Sequence, residues 1–174
     1  MAALRRLFVR LRLIVNEAKS AVASATQRKV LGFSFWVAAG RAVKRRVAPQ
    51  ALVRLKERVR ELTRRSAGRS LAAVCRDLGV YLAGWKAYFR IAQTPKVFAA
   101  VDKWIRHRLR ALQLKHWKRG TTIYRELIAR GLSDLDARRV AANGRRWWRN
   151  SAMAIHLALP NALFDKLGVP RLAT

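Results

Sequence analysis

Between Pro49 and Gly120 the apolar residues recur at every third or fourth position in three successive stretches, and in the first and third the intervening positions are dominated by arginine and lysine. Such a period specifies helices, because only near 3.6 residues per turn do positions so spaced share one face. The first seam is Leu52, Leu55, Val59 and Leu62, opened by Pro49 at a first helical position and expected to run to about Arg65 before Gly68 ends it. The second is Leu71, Val74, Cys75, Leu78, Leu82, Trp85 and Phe89, with Ser70 placed to cap it and Gly79 and Gly84 inside it. Close helix approach or a bend is the expected reason for those glycines. Thr94-Pro95 opens the third, with Phe98, Val101, Trp104, Ile105, Leu109 and Leu112 leading toward Gly120. Three amphipathic helices joined by short links predict a bundle.

The flanks read differently. Val30 to Val37 predicts one strand with Leu31, Phe33, Phe35 and Val37 on a side, Gly40 a turn, and Val43 to Val47 the returning partner. A ribbon of two strands needs something to pack on. Ahead of it, Met1 to Val15 is amphipathic and acid-free, a superficial likeness to an organellar transit peptide. The pattern is read here as the end of a helix leading into a strand at Leu11, Leu13 and Val15, with Ala21 to Ala23 a weak further strand. Past Gly120, Thr122 to Arg130 predicts a short helix stopped by Gly131, Ser133 with Asp136 a capping-box start for a helix to about Asn143, and the remainder a short helix and loops folding back. The expected fold is therefore mainly α: a β-ribbon in 1–47, a three-helix bundle in 48–120, and short helices with an irregular tail in 121–174.

Charge narrows the function. The 174 residues hold 38 Lys+Arg against 9 Asp+Glu, a formal +29, and residues 41–70 alone carry eleven cations against Glu57 and Glu61. A solvated face normally mixes signs, so a polyanion is the expected partner, nucleic acid first and anionic membrane second. No apolar run reaches the roughly 18 residues of a membrane span, and a cytoplasmic protein is expected. The nine acids, Glu17, Glu57, Glu61, Asp77, Asp102, Glu126, Asp134, Asp136 and Asp165, are scattered without an Asp-Asp pair, so no two-metal site for phosphate chemistry is expected. Cys75 has no disulfide partner, and His107, His116 and His156 lack the companions of a metal site. Neither enzyme activity nor a cofactor is expected.

Binding chemistry is better supplied, since arginines grip phosphates bidentately and indole rings stack on unpaired bases. Trp85, Phe89, Phe98 and Trp104 fall on seams and are expected to pack. Trp117, Tyr124, Trp147 and Trp148 sit beside Lys115, Lys118, Arg119, Arg125, Arg146 and Arg149, where stacking and packing both remain open.

Several segments, in order, carry a resemblance. These are L-R-L-I-V-N-E-A-K-S (Leu11 to Ser20), L-G-F-S-F (Leu31 to Phe35), R-V-A-P (Arg46 to Pro49) and V-R-E-L-T-R-R-S (Val59 to Ser66). G-R-S-L from Gly68, Y-L-A-G-W-K-A-Y-F (Tyr81 to Phe89) and D-K-W-I-R-H-R-L-R (Asp102 to Arg110) follow. K-H-W-K-R-G (Lys115 to Gly120) and A-L-P-N-A-L-F-D-K-L-G (Ala158 to Gly168) complete the set. Together they resemble the C-terminal part of a bacterial group II intron-encoded reverse transcriptase/maturase, including its thumb, or maturase-specific domain.

The resemblance implies that Asn16 and Lys19 belong to the palm motif after the catalytic carboxylates, and that Leu31, Gly32 and Phe33 match the primer-grip turn. Neither works alone, and the aromatic-Ala-Asp-Asp signature is expected upstream of Met1. For the thumb it implies binding of group II intron RNA and of a template-primer duplex, with Arg54, Arg58, Arg64, Arg65, Arg69, Lys86, Arg106 and Arg110 as candidate phosphate contacts; Lys115, Lys118, Arg119, Trp117 and Trp148 join them as RNA-binding candidates. The leading expectation is an RNA-binding splicing maturase region. A subunit completing a separately encoded palm is the second expectation. Ala23-Ser24-Ala25-Thr26 and Ala38-Ala39 depart from the family pattern, which keeps a decaying remnant, or a non-selective cationic binder, as the third.

Overall fold

A computed structural model describes residues 2–14, 16 and 23–173. The fold is mainly helical, with a small three-stranded antiparallel sheet near the N-terminus. Helix α1 spans Ala2–Arg10, and the chain from 11 to 14 turns without forming the expected strand. The weak strand at Ala21 to Ala23 lies outside the described residues except for Ala23, which is not in a strand.

The predicted single strand from Val30 is instead a hairpin. Strand β1 (Lys29–Val30) pairs with β2 (Phe33–Val37), which pairs in turn with β3 (Val43–Val47). Leu31 and Gly32 form the two-residue connection with φ +50 and +79. Positive φ at both positions is the turn whose twist matches a hairpin, and alternation alone does not reveal it when its first residue is an apolar leucine. Tyr88 donates its hydroxyl proton to the Leu31 carbonyl at 2.8 Å.

The sheet packs on the end of a helix. Phe33 lies against Tyr88 and Phe89 with ring centroids 5.9 and 5.1 Å away. The Gln93 side chain and amide bracket Arg45: Arg45 N donates to Gln93 Oε1 at 3.1 Å and Gln93 N donates to the Arg45 carbonyl at 2.8 Å.

Helix α2 (Pro49–Leu62) begins at its proline and stops three residues short of Arg65, where the backbone leaves the helical region at Thr63, whose hydroxyl donates to the Val59 carbonyl. In α3 (Leu71–Phe89) the Ser70 hydroxyl accepts from Ala73 N at 3.2 Å, the cap its sequence requires. Gly79 has a concrete reason: a Cβ there would sit 2.2 Å from the carbonyl oxygen of Gly168, so the returning tail, not a neighbouring helix, demands glycine. Gly84 meets nothing within 4 Å.

Helix α4 (Pro95–Trp117) starts on its proline, but Thr94 supplies no side-chain cap and its buried hydroxyl meets no partner among the described residues. Helices α5 (Gly120–Ile128) and α6 (Asp134–Ala142) form a hairpin, with Ser133 Oγ accepting from Asp136 N at 3.2 Å and donating to its carboxylate at 2.8 Å. Three short helices, α7 (Trp147–Asn150), α8 (Ile155–Ala158) and α9 (Asn161–Lys166), carry the chain back. The last residues dock on α4, where the amides of Leu172 and Ala173 donate to the Asp102 carboxylate at 2.8 to 3.0 Å. One continuous buried cluster runs from Phe33 and Val47 through α2, α3 and α4 to Phe164 and Leu172.

Candidate nucleic-acid interface

The arginines of α2 are sorted by the seam that buries the helix. With Leu55 and Val59 fully buried, Arg54 and Arg58 stand exposed, as do Arg64 and Arg65 in the turn beyond. Arg58 meets Glu61 at 2.8 Å, an exposed pair that water screens and that leaves the guanidinium available. Arg54 also edges an open groove of about 440 Å³, walled by Lys29, Gln50, Tyr81 and Tyr88 beside the Leu31-Gly32 turn.

Behind this face lies a cluster that sequence reading missed. Arg60 and Arg108 flank the Trp104 ring at 5.6 and 5.3 Å, and Arg108 Nε donates to Thr63 Oγ1 at 2.8 Å. Burial, followed by the nearby positive charges of Arg65 and Arg60, depresses the Arg108 pKa. Its only sequence signal is the density of cations in Asp102 to Arg110, which does not separate inward from outward positions.

Two candidates in that same run point inward. Arg106 is 2% exposed; its guanidinium donates to the carbonyls of Val169 and Pro170 at 2.9 and 3.2 Å and to Asp165 at 2.9 Å. Arg110 is also buried, donating to the Leu159 carbonyl at 2.9 Å and to Asn161 Oδ1 at 2.8 Å. These arginines tie the tail to α4 and are buried at positions that the apolar seam leaves outside, at one edge of a cleft of about 470 Å³. The reason is that α4 is covered on two sides, so its buried arc extends past the apolar seam.

The carboxylate that Arg106 uses is held ionised: hydrogen bonds from Arg171, then from Arg106, keep Asp165 below the usual carboxylate range. Burial pushes the Cys75 thiol up to about 11, consistent with a packed and unreactive side chain. Among the described residues no group of three or more His, Cys, Asp or Glu is arranged to hold a metal ion.

The aromatic candidates divide as well. Trp117 is 8% exposed beneath Arg130, whose guanidinium lies 5.2 Å from its ring, so it packs and cannot stack on a base. Trp147 is half-buried between Lys115 at 4.7 Å and Arg65 at 5.6 Å. The Tyr124 hydroxyl is engaged by Asp134 at 2.6 Å. Trp148 alone of these keeps a large exposed surface, 45%, with its edge against His107 at 3.9 Å between centroids. Burial, with Arg110 nearby, lowers the pKa of His107, so its neutral ring is favoured there.

Arg69 is partly covered and pairs with Asp77, and Lys86 lies beside Trp85 and Arg90 in a smaller cleft. Lys118 and Arg119 are exposed. Lys118 walls two open clefts, one of about 500 Å³ with Arg65, Arg69, Lys115 and His116, the other of about 530 Å³ with Arg119, Arg145 and Arg146. Asn16 is described and exposed, whereas Lys19 lies outside the described residues. Phe33 of the primer-grip triplet is a core residue on Tyr88 and Phe89, while Leu31 and Gly32 form the turn itself.

A cationic helical surface whose carboxylates are mostly engaged internally or in exposed pairs defines the class of molecule. Residues 52–131, from the first turn of α2 to the loop after α5, match the family model described as Group II intron, maturase-specific domain. These helices are thus similar to a maturase-specific region of the group II intron reverse transcriptase/maturase kind, and the match supports a maturase-related role. Among curated proteins none matches the chain. No helix among the described residues is long and apolar enough to cross a membrane.

Proposed function

We propose that this chain binds structured group II intron RNA through the α2 face and the basic turn after it, stabilising the folded intron for splicing without itself catalysing a reaction. The observation that carries this reading is the coincidence of the maturase-specific match with a set of exposed arginines: Arg54, Arg58, Arg64 and Arg65 all fall within residues 52–131. A template-primer duplex is a second ligand of the same chemistry. Filter binding tests the reading: group II intron RNA should bind at least about tenfold more tightly than an arbitrary RNA of equal length at about 0.15 M salt. Equal affinity for both, matched by equal binding to anionic vesicles, would favour a non-selective cationic protein instead.

One observation favours a second role. Val30, Val37 and Val43, on the face of the sheet that carries Phe33, are 52, 52 and 60% exposed, Leu31 in the turn is 78% exposed, and Trp36 on the opposite face is 38% exposed under Lys44. Such a surface suits a chain that completes a separately encoded palm. Co-purification with an upstream fingers-palm polypeptide carrying a Tyr-Ala-Asp-Asp-type turn would support this, and absence of any complex at micromolar concentration would remove it.

A further inference from the structure

The two clefts that meet at Lys118 form one furrow around the end of α4, and its lining is unusual. Seven cations wall it, Arg65, Arg69, Lys115, Lys118, Arg119, Arg145 and Arg146, and no carboxylate among the described residues does. Asp77 offsets Arg69 from outside the lining. The plain structural explanation is that these cations neutralise the carbonyl ends of α4 and α6, but each helix end presents only about half an elementary charge. About five positive charges remain after Asp77 and both helix ends are subtracted.

The backbone at the junction is strained. Lys118 has φ +58 and ψ −66, and Arg119 N donates to the Trp117 carbonyl at 2.7 Å, a γ-turn of the rare positive-φ kind. A non-glycine residue kept in that conformation is a hypothesis of function, here for the one cation shared by both clefts. The indoles close at hand are not stacking platforms: Trp117 is buried, and Trp147 is already occupied by Lys115 and Arg65.

We infer that the two clefts act as one binding track, adjoining the α2 face at Arg65, for one phosphodiester strand, held through its phosphates and not through its bases. The inference rests on the RNA-binding reading above for the identity of the strand. Concavity favours a single backbone over a duplex, and since no Trp, Tyr or Phe among the described residues lines either cleft, indifference to the bases is expected.

Fluorescence anisotropy with the full chain and a single-stranded RNA of about 12 nucleotides tests it, that length lying within the usual site sizes. Replacing Lys118, Arg145 and Arg146 together by alanine should weaken binding at least about tenfold and lower the salt slope of log K by about 2, since each lost phosphate contact on a single strand contributes about 0.7. The charge-matched variant Arg125→Ala/Arg138→Ala/Arg139→Ala, at exposed positions of α5 and α6, should stay within about twofold of the wild type. A strand with neutral methylphosphonate linkages should bind as poorly as the triple variant binds the natural strand, whereas an abasic strand should bind normally.

The furrow is overturned if the two triple variants lose affinity equally, if the neutral backbone binds well, or if removing the bases weakens binding about tenfold. Should the wild type bind no RNA of any kind, the RNA-binding reading falls with it; should it bind RNA regardless of the furrow substitutions, the furrow alone falls.

Discussion

At the scale of single residues, arginines that look alike in sequence divide by which side of a helix faces the core. Arg106→Ala should cost about 3 kcal/mol in urea denaturation, because it leaves the Val169 and Pro170 carbonyls and part of Asp165 without their donor. Arg54→Ala should change stability by no more than about 0.5 kcal/mol. Lys118→Gly should raise stability by about 1 kcal/mol by relieving the positive-φ turn. Asp102 and Arg106 stand four residues apart on α4, 3.8 Å from each other, and nothing in the sequence told that this couple lies under a returning tail. Asp165 adds a pH signature. Its folded-state pKa is depressed below the ordinary 3.8, so its contribution is complete above that value and disappears as pH falls through the lower folded value. Melting curves of wild type and Asp165→Asn should therefore differ at pH 6 and converge in acid, below its depressed folded-state value.

Among elements, the helices from Pro49 to Gly120 were legible because period and punctuation agreed: Pro49, Ser70 and Pro95 begin helices where they were expected to. The sheet was legible only in part. Val43–Val47 returns as expected, but the Leu31-Gly32 turn splits what alternation reads as one strand. The two glycines of α3 show why a local rule cannot rank positions that differ only in tertiary surroundings. Gly79→Ala should destabilise by about 2 kcal/mol and speed amide exchange at Gly168 to Leu172, since the new methyl meets the Gly168 carbonyl. Gly84→Ala, with open space and a helical backbone, should stabilise by about 0.5 to 1 kcal/mol. Thermal melts of the two variants should move in opposite directions.

For the molecule as a whole, +29 on 174 residues is a standing repulsion that a polyanion relieves. The free chain should therefore melt at higher temperature as salt rises from about 0.05 to 0.5 M, while its RNA affinity falls steeply over the same range. Total charge was evident from composition, and so was the choice of a polyanion; which cations remain outside was not, because the clefts at Lys118 are assembled from the α2–α3 turn, the end of α4 and the loop after α6. The central claim is that these surfaces hold a group II intron in its active fold. Its most direct measurement is the splicing rate of a group II intron precursor, with and without the chain, at a magnesium concentration where the RNA alone is slow. The account predicts that wild type accelerates splicing and that Arg54→Ala/Arg58→Ala/Arg64→Ala loses most of the acceleration. An intron RNA that binds the chain and yet splices at an unchanged rate would contradict it.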